Sequence, residues 1–157
     1  MFEYAFDTDL ARFAVIIGLF ITLLFYDRLK IAPGGMVVPG YIVIFINHTM
    51  QILYTFLVAF AVYLVVGRIL MKHMILFGRR RFTVTVLTGA VFAVISESLI
   101  GSYASFEPFL GYKLIGIIIP GLIAHELIRE HKPVFIIMSI GFVTMLTFGF
   151  VWIVAQI

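Results

Sequence analysis

Long apolar runs cover nearly the whole chain and leave little room for a water-soluble core. Of the 157 residues, 63% are hydrophobic and only 12% are charged, against about 25% charged residues in soluble domains. A helix that crosses a bilayer needs about 20 mainly apolar residues. The sequence therefore predicts an all-α integral membrane protein. Four segments meet the length requirement without interruption: residues 10–27, 51–71, 82–100 and 133–156.

Two further apolar segments, 31–50 and 109–128, are interrupted by proline and glycine. Both contain the pattern Gly-apolar-apolar-apolar-Pro-Gly, as GMVVPG at 35–40 and GIIIPG at 116–121. Proline obstructs a helix interior, so each segment is predicted to be a broken helix. Such backbone is tolerated in a bilayer where it is buried in protein or lines a wet cavity. The breaks therefore predict either a path or a packing core. Their candidate residues are Pro33, Gly35, Pro39, Gly40, Gly116, Pro120 and Gly121.

The basic residues indicate which loops face the cytoplasm, because cytoplasmic loops collect Lys and Arg. Two, five and two of the eleven Lys and Arg residues fall in clusters at 28–30, 68–81 and 129–132. All three clusters lie on one side if both interrupted segments cross the bilayer, whereas re-entrant segments would separate them. We therefore predict six spans, with both termini outside.

Six spans divide into halves of about 1–72 and 73–157, each consisting of a helix, a broken helix and a helix. Because each half has an odd number of spans, the second half would be inverted relative to the first. Inverted repeats whose broken helices meet near the midplane are common in transport proteins. The sequence thus predicts a single membrane domain of two inverted three-span repeats, each with a Pro-Gly-broken central helix.

Glu97 is the most informative ionisable residue within a predicted span, since charges there are costly and usually face protein or water. A four-residue spacing places it on one helix face with three small or polar residues, Thr85, Gly89 and Ala93. A face of this kind is expected at close helix contacts. Two interpretations stay open for Glu97. It lines a polar path or binds a cationic partner, or it lies at the outer interface, hydrated or paired with Lys113.

The segment HELIREHK, residues 125–132, partly matches a zinc motif. A His-Glu-x-x-His site needs both histidines on one helix face. Here the fifth residue is Arg129, and His125 and His131 are six residues apart, so they point to different faces. We therefore predict no metal site and interpret the segment as the charged cytoplasmic end of the fifth span. No catalytic residue, cofactor or phosphate-binding loop is predicted in the chain.

The segment KHMILFGRRRF, residues 72–82, is the densest basic site. A topology signal that also attracts anionic lipid explains it, at about 1 kcal/mol per basic residue near the surface. The alternative is docking of an acidic protein or polymer, because the arginine fork suits carboxylates. The candidate contact residues are Lys72, Arg79, Arg80 and Arg81.

Three stretches resemble the PgsC/CapC family of poly-γ-glutamate biosynthesis proteins: IAPGGMVVPGYI at 31–42, HMILFGRRRF at 73–82 and IGIIIPGLIAHEL at 115–127. The resemblance implies a multi-pass subunit of the bacterial plasma (inner) membrane. It would work beside a PgsB/CapB-type ligase, which uses ATP to join glutamates through their γ-carboxylates. The resemblance also implies a largely extracellular PgsA/CapA-type subunit. The family brings no agreed catalytic residues, so only motif positions are carried over. These are Pro33, Pro39, Gly40, Arg79, Arg80, Pro120 and Gly121.

Three functions follow as hypotheses. The first is a non-catalytic membrane subunit of an ATP-dependent poly-γ-glutamate synthase and export complex, which anchors the ligase and assists polymer passage. It would contact anionic lipid and no nucleic acid. The second is a small stand-alone secondary transporter or channel, for which a homo-oligomer would supply more spans. The third is a purely structural membrane scaffold.

Overall fold

The computed structural model describes residues 8–30, 33–73, 78–103, 114–130 and 133–155, and regular structure in these ranges is entirely helical. The predicted all-α class is therefore confirmed. The third helix passes through a π-helical turn at Val65–Leu70. The described helices are α1 (Thr8–Leu29), α2 (Val38–Ile44), α3 (Thr49–His73), α4 (Arg79–Tyr103), α5 (Ile119–Arg129) and α6 (Pro133–Ala155).

Three helices in the described part of the chain are long and apolar enough to cross a membrane, and they lie where three of the uninterrupted spans are predicted. Large apolar side chains on them point outward, for example Leu57 at 64% and Met138 at 69% exposure. Hydrocarbon is a suitable environment for surfaces of this kind, and water is not. The first predicted span is helical as α1, and its crossing, like the total of six spans, stays a prediction. The three long apolar segments are Thr49–His73, Arg79–Leu99 and Val134–Val154.

Each interrupted segment has irregular backbone followed by a short helix. Residues 33–37 precede α2, and Gly34 and Gly35 there have φ angles of 67° and 92°, which favour glycine. Residues 114–118 precede α5 in the same way. The helices that follow have only 7 and 11 residues, fewer than the roughly 20 that a full crossing needs.

Pro39 and Pro120 each occupy the second residue of a helix. Proline is tolerated in the first turn because the N–H that it lacks has no intrahelical acceptor there. Helical hydrogen bonding begins equivalently in the two segments. The N–H of Tyr41 donates to the carbonyl four residues earlier over 3.3 Å, and that of Leu122 does so over 3.1 Å. Each proline therefore lies in the first turn of its helix and does not interrupt a longer one.

The described helices form two compact units, and the first contains α1, α2 and α6. Here α6 packs on both α1 and α2. Ala14 and Val43 lie in the buried core of this unit together with Ile44 and Val151. The last helix of the chain thus completes the unit that begins with the first helix.

The second unit contains α3, α4 and α5, with α5 packed on both of the other helices. The units follow packing and not chain order, because each has two helices from one predicted half and the third helix of the other. The division into repeat halves at about residue 72 stays a prediction. The buried core of the second unit consists of Val58, Val62, Val66, Ala93, Leu114 and Ala124.

Candidate functional site

In the first unit, the glycine of the Pro-Gly pair packs directly on a glycine of α1. A Cβ atom on Gly18 would lie 2.6 Å from the Cα atom of Gly40 and 3.3 Å from Cγ2 of Thr147. A Cβ atom on Gly40 would lie 3.0 Å from the Cα atom of Val15. Backbones approach this closely only where side chains are absent, as at small-residue helix contacts in membranes. Gly40 is therefore a packing residue, and Pro39 beside it is also buried.

The second unit repeats this contact between α4 and α5. A Cβ atom on Gly121 would lie 2.8 Å from the Cα atom of Val86. A Cβ atom on Gly89 would overlap the Cα atom of Gly121. Val86 precedes Gly89 by three residues, just as Val15 precedes Gly18 in the first unit. The two Pro-Gly pairs therefore have equivalent packing partners.

The other predicted residues of the interrupted segments lie in the irregular stretches. Pro33 is buried and Gly35 is half-buried. Between them, a Cβ atom on Gly34 would lie 2.8 Å from Cδ1 of Ile140. Gly116 is half-buried and has only side-chain neighbours at its Cβ position. These residues shape the backbone that leads into each short helix.

The small and polar face predicted on α4 lies along α5 and the stretch before it. Thr85 and Ala93 are fully buried. At the far end of this face, the Glu97 carboxylate accepts a hydrogen bond from the N–H of Leu114 over 3.4 Å. Glu97 therefore satisfies a backbone donor of the irregular stretch. Its predicted partner Lys113 lies outside the described residues.

Thr55 of α3 contributes to the same stretch and was not singled out by the sequence. Its Oγ1 atom accepts a hydrogen bond from the N–H of Ile115 over 3.3 Å and donates to the Gln51 carbonyl over 2.7 Å. Its side chain is 1% exposed. Thr55 could have been predicted, because the N–H groups of buried irregular backbone need acceptors. Polar side chains in the flanking spans are the ones that can supply them.

The predicted basic contact residues lie at the end of α3 and at the start of α4. Lys72, Arg79 and Arg80 are exposed, and Arg81 is half-buried. Positive charge at a helix N-terminus opposes the helix dipole, at about 0.3–1 kcal/mol per charge. Helix stability therefore does not explain three arginines in the first turn of α4.

A polar cluster beside these arginines joins α4 to α5. His125 and Glu126 are only 9% and 7% exposed. The Phe82 ring meets the His125 ring edge-on, with centroids 5.1 Å apart. Arg129 donates to Glu126 over 3.4 Å. His125 lies near Arg81 and Arg129. The segment is thus more than a charged helix end, because two of its polar residues are inside the protein.

The position of His125 follows from the helical period. It comes four residues after Gly121, so both lie on one face of α5, and that face packs on α4. This four-residue spacing is visible in the sequence, and the burial of His125 could have been predicted from it. Among the described residues, no three His, Asp or Glu side chains are placed to hold a metal ion.

The fold and the site define a small helical protein of the membrane type, with two proline-initiated helices and a basic end on α4. The chain belongs to the capsule biosynthesis CapC family, whose family model matches residues 17–135. This range contains both Pro-Gly pairs and the arginine run, and the resemblance read from the three motifs is confirmed.

Two relatives illustrate the match. The chain is 38% identical over 125 residues to the PGA biosynthesis protein CapC of Bacillus subtilis (strain 168). The aligned residues cover 80% of this chain and 82% of that protein. It is 34% identical over 128 residues to the capsule biosynthesis protein CapC of Bacillus anthracis, covering 82% and 84%. No solved structure matches the chain significantly.

Proposed function

We propose that this chain is the membrane subunit of a poly-γ-glutamate synthase and export complex, in which it anchors the ATP-dependent ligase and assists polymer passage. The observation that carries the proposal is CapC family membership over residues 17–135, together with the B. subtilis relative named for PGA biosynthesis. The partners are a PgsB/CapB-type ligase, a PgsA/CapA-type extracellular subunit, the polymer and anionic lipid. The chain itself supplies no bond-forming chemistry in this proposal.

An anchoring role is supported by the exposed cations at the start of α4. Arg79 and Arg80 are both exposed there, and Lys72 lies near the end of α3. Guanidinium groups bind carboxylates through paired, charge-assisted hydrogen bonds. A surface of this kind suits an acidic face of the ligase or the emerging polyanion.

The test of this role replaces both exposed arginines, as Arg79→Gln with Arg80→Gln, and measures polymer output and ligase co-purification. We expect both to fall. The matched control removes two exposed charges from α1, as Arg12→Gln with Arg28→Gln, and should leave both values near wild type. Unchanged polymer and unchanged ligase recovery in the first variant would remove the docking role.

We also propose six spans arranged as two inverted repeats, with both termini outside. Support comes from the equivalent glycine contacts and the equivalent helix starts at Pro39 and Pro120. The test introduces single cysteines as Phe2→Cys and Lys72→Cys and labels intact cells with an impermeant reagent. Residue 2 should react and residue 72 should not. Equal labelling at the two positions would contradict this topology.

A structural scaffold is the second candidate, because Gly40 and Gly121 are both packed against backbone. Replacing the prolines separates the two functions, using Pro39→Ala and Pro120→Ala. A scaffold predicts that complex yield and polymer output fall in proportion. A polymer path along the interrupted segments predicts lost polymer from an intact complex.

A further inference from the structure

Two buried nitrogen atoms in the polar cluster make no hydrogen bond to any described residue. They are Nε of Arg81 and Nδ1 of His125. The large majority of buried side-chain polar atoms in proteins have a hydrogen-bond partner, and leaving one without a partner costs stability. Both nitrogens belong to side chains at the place where α4 begins and α5 ends. Oε2 of Glu126 in the same cluster is also buried without a hydrogen bond, while Oε1 of Glu126 accepts from Arg129. No acceptor among the described residues therefore reaches the two nitrogens.

The charges around the two nitrogens define the sign of an acceptor that would suit them. Arg129 is matched by Glu126 through their 3.4 Å ion pair. Arg81 forms no ion pair with a described residue, and it lies near His125. Arg81 and Arg129 together bring two positive charges to the cluster, and Glu126 brings one negative charge. An anionic group with two acceptor atoms would satisfy both the nitrogens and the charge.

We propose that Arg81 and His125 bind one α-carboxylate of the poly-γ-glutamate chain. This inference rests on the proposed function and adds a recognition site to it. Linking glutamates through their γ-carboxylates leaves each α-carboxylate free, so the polymer offers such a group at every residue. One carboxylate oxygen accepts from Nε of Arg81 and the other from Nδ1 of His125, which therefore carries its proton on Nδ1.

The surroundings favour a polymer carboxylate over a lipid phosphate. The exposed Arg79 and Arg80 precede Arg81 in the same helical turn, so further carboxylates of one polymer can be bound around the start of α4. The polymer is thus held at several points where α4 begins, and Arg81 with His125 forms the innermost point.

The test measures binding of a fluorescent γ-linked glutamate decamer to the full chain in neutral phosphatidylcholine nanodiscs. Arg81→Gln should weaken binding at least about tenfold, as loss of a charge-assisted hydrogen bond predicts. Arg68→Gln, which removes an exposed charge from α3, should stay within about threefold of wild type, because exposed charges contribute little.

Histidine variants test the particular nitrogen. The amide nitrogen of His125→Asn can occupy the place of Nδ1, so this variant should bind within about threefold of wild type. The side chain of His125→Gln places its amide one bond further out, and this variant should bind as weakly as Arg81→Gln. Unchanged thermal unfolding of each variant keeps a folding defect apart from a binding defect.

Any of four results would overturn the inference. Equal losses in Arg81→Gln and Arg68→Gln would show only general electrostatic attraction. Equal binding by His125→Asn and His125→Gln would remove the histidine from the site. Phosphatidylglycerol that displaces the decamer from the wild-type chain but not from Arg81→Gln would identify a lipid phosphate as the occupant. Failed decamer binding with intact ligase co-purification rejects this inference alone. Failure of the wild-type chain to co-purify with the ligase rejects the proposed function.

Discussion

Replacement of Gly89 by alanine should push α4 and α5 apart. The new Cβ atom would overlap the Cα atom of Gly121 and lie 2.6 Å from its backbone nitrogen. Both obstructing atoms are backbone, so no side-chain rotation relieves the contact. Overpacking of a close-packed interior costs about 1–3 kcal/mol, and this contact belongs at the upper end. The better helix propensity of alanine returns about 1 kcal/mol, so we expect a net loss of about 2 kcal/mol.

Thermal unfolding of the purified chain in detergent measures this loss. For a protein of this size, each kcal/mol corresponds to about 2–4 °C, so Gly89→Ala should lower Tm by about 4–8 °C. Gly18→Ala should act in the same direction in the first unit, where the contact is equivalent. The control is Gly141→Ala in α6. A Cβ atom there has no neighbour within 4 Å, so Tm should rise slightly. A Gly89→Ala protein that unfolds at or above the wild-type temperature would refute the close contact.

Two further predictions concern the irregular stretch before α5. Thr55→Val leaves the buried N–H of Ile115 without its acceptor and should cost about 1–3 kcal/mol, measured by the same unfolding assay. Thr144→Val is its control, because the buried Thr144 hydroxyl has no partner among the described residues, and a neutral or stabilising result is expected. Glu97→Gln keeps an oxygen acceptor for Leu114 and should unfold near the wild-type temperature, whereas Glu97→Leu should unfold lower. Equal Tm values for the two Glu97 variants would contradict the hydrogen bond.

The helices were predictable because hydrocarbon imposes strict requirements on a chain. Backbone groups in a bilayer must be satisfied internally, so a long apolar run such as 51–71 or 133–156 has few alternatives to a helix. The Pro-Gly pairs were equally visible in the sequence. Their position at the second residue of each short helix follows from the tolerance of proline in a first turn.

The partners of the helices were harder to predict. A helix such as α6 is apolar on every side, so hydropathy does not indicate which face packs on α1 and α2. Close approach at small residues decides the packing instead, and Gly18 looked no different from any other glycine in a span. Thr55 was missed for a similar reason, because a threonine in a span most often bonds its own helix, as Thr55 also does with Gln51.

The packing contact and the proposed recognition site are mechanically connected, because Gly121 and His125 share one face of α5. The glycine contact sets the distance between α4 and α5, and therefore the distance from Arg81 to His125. A carboxylate is bound well by both nitrogens only when that distance suits a planar group of fixed size. Gly89→Ala should consequently weaken decamer binding even though Gly89 touches no polymer. Gly18→Ala, which strains the other unit, should lower Tm and leave decamer affinity unchanged. This difference between two destabilising variants would show that the glycine contact of α4 with α5 positions the site as well as stabilising the fold.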